Sequence, residues 1–159
     1  MDISGVEVTE PEVHTDYRGD LWTLWHADKH RFNFNHDKVS TSRRHVLRGI
    51  HGDQKSWKLV TCLHGEIYFV VADPRPDSPT HMKWDSMVLD SRRRAQVLVP
   101  PGVGNGFLVL SDESVFHYKW LYPGTYPDVD DQFTIKWNDP FWNINWPIDN
   151  PILQARDKK

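Results

Sequence analysis

The chain has 159 residues, a formal charge of −3 and a single cysteine, Cys62. A domain of that size can bury its own core, its charge balance offers no basic face to nucleic acid or an anionic membrane, and one cysteine excludes a disulfide scaffold. Aromatic residues make up 13%, with eight Trp beside eleven Pro, a mixture that favours β structure over helix.

Met1-Asp2-Ile3-Ser4-Gly5 carries no basic stretch followed by an apolar run, and no segment has the length of a membrane span. A soluble cytoplasmic protein of one domain, residues 1–159, is the expectation. A short strand falls around Val6 to Val8, and Asp16-Tyr17-Arg18-Gly19-Asp20 reads as a turn before the strand Leu21–Trp25. Asp28 to Asn35 is polar and irregular. His36–Ser42 alternates loosely and leads into His45-Val46-Leu47-Arg48-Gly49-Ile50-His51-Gly52-Asp53. On a flat strand Arg48 and Ile50 share one face, and Leu47, Gly49 and His51 the other. A permanent cation and a titratable imidazole beside glycines suggest an anionic ligand and a proton transfer.

Trp57–Leu63 and Ile67–Ala72 flank His64-Gly65-Glu66 as a hairpin. Asp73 to Pro79 is too proline-rich for a central strand. Strands follow at Trp84–Leu89 and Gln96–Val99, then the turn Pro100-Pro101-Gly102, then strands at Gly106–Leu110 and Ser114–Trp120. Arg92-Arg93-Arg94 reads as a solvated turn, and Cys62 as a small buried side chain. About nine short strands spaced by turn signals predict an all-β jelly roll, a cupin-like double-stranded β-helix whose mouth holds the ligand.

Inward-facing histidines in such a barrel raise the question of a metal. The cupin pattern needs an H-x-H pair and a late histidine after the proline-glycine turn. Here His51 is followed by Gly52-Asp53, and Asn105 stands at the late position, so no metal is expected. No Gly-x-Ser-x-Gly elbow and no phosphate or dinucleotide loop occurs. Acid–base chemistry is left. His51 suits a general base, Lys58 could hold a developing oxyanion, and Tyr118, between Phe116 and Trp120, could donate a proton.

The segments together resemble the dTDP-4-dehydrorhamnose 3,5-epimerase family. Those that carry the resemblance include Asp16-x-Arg18-Gly19, Val46-Leu47-Arg48-Gly49-Ile50-His51, Lys58-Leu59-Val60, Gly65-Glu66-Ile67 and Asp73-x-Arg75-x-x-Ser78-Pro79-Thr80. Val99-Pro100-Pro101-Gly102, Tyr118-Lys119, Trp137-Asn138-Asp139-Pro140 and Pro151-Ile152-Leu153 ending at Asp157 continue it in the family's order. The resemblance implies a jelly-roll homodimer without metal or redox cofactor, acting on a nucleotide-diphospho-4-keto-sugar. It makes His51 the base, Asp157 its carboxylate partner, Tyr118 the acid and Lys58 the enolate stabiliser. Arg18 and Arg48 become contacts of the diphosphate and nucleotide.

Some positions differ from the family's usual pattern. Gly52-Asp53 replaces Tyr-Gln after the histidine, Asn105 replaces a histidine, and His36 and Lys38 stand where Gln and Asn are usual on the nucleotide side. The run Trp120 to Tyr126 rearranges a tyrosine-rich loop. His36, Lys38, Asp53 and Asn105 are therefore expected to shape the substrate pocket. The Gly-Asp and Gly-Asn pairs resemble a branch acting on GDP-linked 4-keto-heptoses in capsule synthesis. A GDP- or dTDP-linked sugar is the expected substrate. A 3,4-ketoisomerase and a non-catalytic sugar-nucleotide-binding jelly roll remain alternative readings of the same barrel.

Overall fold

The computed structural model of the chain describes residues 1–28, 31–124 and 131–158. Twelve strands are present among them: β1 Glu7–Thr9, β2 Val13–Asp16, β3 Gly19–Trp22, β4 His36–Arg43, β5 Leu47–Gly52, β6 Trp57–His64, β7 Glu66–Asp73, β8 Lys83–Asp90, β9 Gln96–Val99, β10 Gly104–Val109, β11 Glu113–Leu121 and β12 Phe133–Thr134. A 3-10 turn follows at Ala155–Lys158. The strands form two antiparallel five-stranded sheets, β1-β9-β6-β11-β4 and β12-β5-β10-β7-β8, with β2 and β3 as a separate hairpin. This is the all-β jelly roll that the spacing of strands and turns predicts.

The alternation of each strand builds the core. Val60 and Cys62 of β6, Phe116 of β11 and Val97 and Val99 of β9 point inward from one sheet. They meet Ile67, Phe69 and Val71 of β7 and Phe107 and Val109 of β10 from the other. Alternate residues of β7, Val70 and Ala72, fall on the outer face, where Ile50, Ile135 and Trp142 cover them. Both faces of β7 are thus dry, which is why its sequence is a near-continuous apolar run. Cys62 is 2% exposed, and burial pushes its thiol up to about 11, so it packs and does not react.

Three elements escape the sequence pattern: β2, β12 and β3, which begins at Gly19 inside the expected turn and ends at Trp22, short of the expected Trp25. β2 lies where the sequence suggests only a leader and a turn, because its residues are half-exposed or exposed and show no apolar alternation. Its turn is confined to Tyr17 and Arg18. β12 is two residues long and follows from its pairing with Gly52 and His51 of β5.

β5 departs from a flat strand. Asn105 of β10 pairs with His51 and Phe107 with Arg48, so two steps on β10 match three on β5. This bulge changes which side chains share a face. Arg48 and His51 line the same cavity, and Ile50 turns outward into the second cluster. The flat-strand expectation that set Arg48 and His51 on opposite faces is therefore corrected. Glycines make the bulge possible. Gly49 has φ +112°, and a Cβ there would lie 2.7 Å from Asn105 O and 2.7 Å from Gly106 Cα.

Candidate active site

Antiparallel pairing brings the end of β5, the start of β6, the start of β10 and the end of β11 to one mouth of the barrel. A cavity of about 200 Å³ opens there between the sheets. Val60, Phe107 and Phe116 are apolar lining, and His51, Lys58, Asn105, Tyr118 and Arg156 bring polar groups. A larger and shallower cleft of about 900 Å³ lies by the proline-rich loop. It holds none of the predicted site residues, and its Arg75 is already bound to Asp73.

The C-terminal segment supplies the partner of His51. Leu47 N donates to Ile152 O and Ile152 N to His45 O, which lays this segment along the start of β5. The 3-10 turn then sets Asp157 Oδ1 2.7 Å from His51 Nε2. Asp157 is 1% exposed. Its remaining valences meet Gly49 N–H at 3.5 Å and the Gln154 side-chain amide at 3.4 Å. A carboxylate accepting the Nε2 proton fixes the ring tautomer and leaves the lone pair on Nδ1.

Lys58 comes from the other sheet and is 5% exposed. Burial pushes its pKa down, the neighbouring Asp53 carboxylate pushes it back up, and Arg156 adds a smaller downward push. Its ammonium lies 3.4 Å from Asn105 Oδ1 and 3.7 Å from Asp53 Oδ2, and 5.0 Å from the Trp120 ring centre. Asn105 is on the cavity wall. Asp53 is not: it is 3% exposed and sits behind Lys58, so it reaches a ligand through that ammonium alone.

Tyr118 lines the cavity from β11 and packs between Phe116 and Trp120, at 5.6 and 5.8 Å between ring centres. Arg48 also lines it and donates to Ser42 Oγ at 2.9 Å. His36 and Lys38 alternate with the cavity-lining Ser40 on β4, which sets them on one face at the rim. Lys38 lies 5.6 Å from the Trp120 ring centre. Arg18, like Asp53, is a predicted residue that does not line the cavity. It stands on the β2–β3 hairpin, bound to Asp16, with its side chain 75% exposed. Of the rearranged run 120–126, residues 125 and 126 lie outside the described residues.

Sequence reasoning passed over Ser40, Gln132, Gln154 and Arg156, which complete the cavity lining. Arg156 was legible as the cation beside Asp157. It donates to Gln132 Oε1 at 3.0 Å and to Thr134 Oγ1 at 3.4 Å. Gln132 and Gln154 come from irregular segments with no periodic signal. The arrangement as a whole suits proton transfer beside an oxyanion: a carboxylate-backed imidazole, a buried ammonium and a phenol around one small cavity.

The family model described as dTDP-4-dehydrorhamnose 3,5-epimerase matches residues 1–159. The chain is 34% identical to a dTDP-4-dehydrorhamnose 3,5-epimerase of Shigella flexneri, over 98% of this chain and 90% of that one. Among solved structures it is similar to a dTDP-6-deoxy-D-glucose-3,5-epimerase of Legionella pneumophila in complex with dTDP-4-keto-L-rhamnose. That likeness has a TM-score of 0.91 and 31% identity, over 99% of this chain and 87% of that one. It is also similar to a 3′-monoepimerase of Streptomyces bikiniensis in complex with dTDP-quinovose, with a TM-score of 0.90 and 29% identity, over 99% of this chain and 83% of that one. No helix among the described residues is long and apolar enough to cross a membrane.

Proposed function

The chain belongs to the dTDP-4-dehydrorhamnose 3,5-epimerase family, and on that premise we propose how its cavity epimerises a nucleotide-diphospho-4-keto-sugar at carbon 3, carbon 5 or both. His51 Nδ1 takes the proton from a carbon beside the ketone. The C–H electron pair moves into the new C=C bond, and the carbonyl oxygen becomes an enolate. The Lys58 ammonium holds that charge, an interaction worth about 3 kcal/mol at the transition state. Tyr118 then gives its proton to the other face of the same carbon, the ketone reforms, and solvent restores the phenol and the free imidazole.

The observation that carries this reading is the 2.7 Å His51–Asp157 pair on one wall of a cavity that Lys58 and Tyr118 line from the opposite sheet. Inversion needs a base and an acid on the two faces of one carbon, and groups from facing sheets meet that need. Incubation with a 4-keto-sugar nucleotide in D2O is expected to place deuterium on the carbons flanking the ketone. His51→Asn is expected to abolish the exchange while leaving nucleotide binding within a few fold. Normal exchange in His51→Asn would sink the assignment.

Arg48 is proposed as a diphosphate contact, with His36 and Lys38 on the nucleotide side. The relatives named above include proteins bound to dTDP-sugars, and dTDP is the first nucleotide to test. A GDP-linked 4-keto-heptose is the second substrate proposed, and Asn105 on the cavity wall is the residue placed to meet its sugar. Thermal shifts with dTDP, GDP, CDP and UDP separate these readings, because a ligand of the folded state raises the melting point.

A homodimer is the proposed assembly. Tyr17 and Leu21 of the β2–β3 hairpin and Val39 of β4 are exposed at 97%, 71% and 59%, and Arg18 projects from that hairpin without lining the cavity of its own chain. A second copy would cover these apolar groups and receive Arg18. Sedimentation of Arg18→Ala and of Leu21→Lys distinguishes a nucleotide contact from an interface contact. A cytoplasmic location is proposed as for an enzyme of sugar-nucleotide metabolism.

A further inference from the structure

We propose that Asp53 is a positioning residue, the buried counterion that, with Asn105, holds the Lys58 ammonium at the cavity wall. The inference deepens the role given to Lys58 above and rests on that reading.

The loop after β5 is built to present this carboxylate. Gly52 lets the chain pass beneath β12, since a Cβ there would lie 2.3 Å from the Phe133 ring and 2.8 Å from Val103 O. The next residue turns inward. Asp53 Oδ1 accepts the backbone N–H groups of Lys55 and Ser56 at 2.9 and 2.6 Å, and its own carbonyl accepts from Gly102 N at 2.7 Å. These contacts fix the side chain and leave Oδ2. That oxygen is buried and has no hydrogen-bond partner among the described residues, and the Lys58 ammonium faces it at 3.7 Å. A buried carboxylate oxygen is otherwise costly to leave unpaired, so the ion pair accounts for it.

The need for such a group follows from the position of Lys58. A lysine that stabilises an enolate acts through its charge, and burial favours the neutral amine. Arg156 opposes the charge as well. His51, Arg48 and Tyr118 line the same cavity, and none of them is an anion while it works as base, anchor or acid. Asp53 is the carboxylate at Lys58. Asn105 adds a neutral acceptor at 3.4 Å, which aims the ammonium without competing for its proton. Asp53 and Asn105, from different strands' ends, converge on one nitrogen.

Asp53→Asn in the intact chain tests the proposal, since it keeps the shape and the acceptor for the two N–H groups and removes the charge. Without the carboxylate, Lys58 loses its proton at lower pH. The alkaline limb of the kcat profile, read from deuterium wash-in, is expected to move to lower pH. At pH 8.5 kcat is expected to fall about tenfold or more, less at pH 6.5, with KM within about threefold. In a Lys58→Arg background the same change is expected to leave the limb in place, because a guanidinium keeps its charge throughout.

An unchanged profile, or an equal loss at every pH, overturns the proposal. Should Asp53→Asn not fold, the chain labelled with 13C at lysine Cε decides. The Lys58 signal, identified by its loss in Lys58→Met, is expected to be that of an ammonium at pH 7, and a neutral amine overturns the proposal. His51→Asn serves as the control. If it leaves exchange intact, the functional reading fails. If it abolishes exchange while Asp53→Asn has no pH-dependent effect, the role of Asp53 alone fails.

Discussion

Asp157→Asn probes the carboxylate–imidazole pair most directly. The side chain keeps its volume and its place on the 3-10 turn, and its charge disappears. When His51 takes a proton it becomes an imidazolium, with Asp157 Oδ1 2.7 Å from its Nε2 and the charge centres about 4 Å apart. At an effective dielectric of about 20, two unit charges at that separation attract by about 4 kcal/mol. A factor of ten in rate corresponds to about 1.4 kcal/mol, so losing this attraction slows proton abstraction about 10³-fold. The amide can also present its NH2 to Nε2, which favours the tautomer with Nδ1 protonated and adds to the loss. The assay is the initial rate of deuterium incorporation beside the ketone, measured by NMR at saturating sugar nucleotide, with nucleotide affinity measured in parallel. Affinity is expected to stay within about threefold, because Asp157 sits behind the ring. A loss of less than about tenfold in a variant that melts cooperatively would refute the electrostatic account.

Tyr118→Phe removes the proposed acid and leaves the proposed base, so it is expected to retain exchange at the substrate's original configuration while epimer formation falls about 10²-fold. Loss of both together would move Tyr118 out of the acid's role. Asp73 is fully buried; burial alone would raise its pKa, but bonds from Arg75, Ser78 and Thr80 outweigh it and hold the carboxyl well below the usual range. Its stabilising contribution is therefore present above the ordinary carboxylate pKa and is lost as pH falls through the depressed one. Asp73→Ala, which strands those partners, is expected to cost about 3–5 kcal/mol at pH 7, and its gap from wild type in urea melts should narrow as pH falls toward 2. Gly49→Ala meets backbone atoms of Asn105 and Gly106 at 2.7 Å with φ at +112°. A cost of about 2–4 kcal/mol is expected, with exchange lost even in whatever fraction folds.

The strands of the sandwich were legible because their period is legible. β9 occupies Gln96–Val99 as the sequence suggests, and β6, β7, β8 and β11 match to within a residue or so at each end. The catalytic candidates were legible as residue types on those strands, and the fold gathers His51, Lys58 and Tyr118 around one cavity. What escaped had no periodic cause. The placing of Arg48 beside His51 depends on a bulge that two facing glycines permit, and a strict alternation rule assigns it to the wrong face. Asp53 is expected in the pocket because Gly52-Asp53 stands in place of the Tyr-Gln that follows the histidine in the family resembled, but a turn after Gly52 sends it behind the wall. Arg18 stands on the β2–β3 hairpin, which contributes nothing to the cavity lining, and its local motif gives no sign of that. Arg156 and Gln132 lie in segments whose course is set by contacts with β5, and no local pattern announces such contacts.

The bulge in β5 also bears on any attempt to transplant this chemistry. Copying the four side chains His51, Lys58, Tyr118 and Asp157 onto another β sandwich would carry over their identities without their geometry. In a recipient strand of ordinary pleat, a residue three places from the arginine points to the opposite side. The smallest unit worth moving is therefore a pair of backbones: β5 with its extra residue, and β10 with Gly106 hollowed out against Gly49. Side chains can be chosen afterwards to suit a new sugar. The hole between two main chains has to be inherited first.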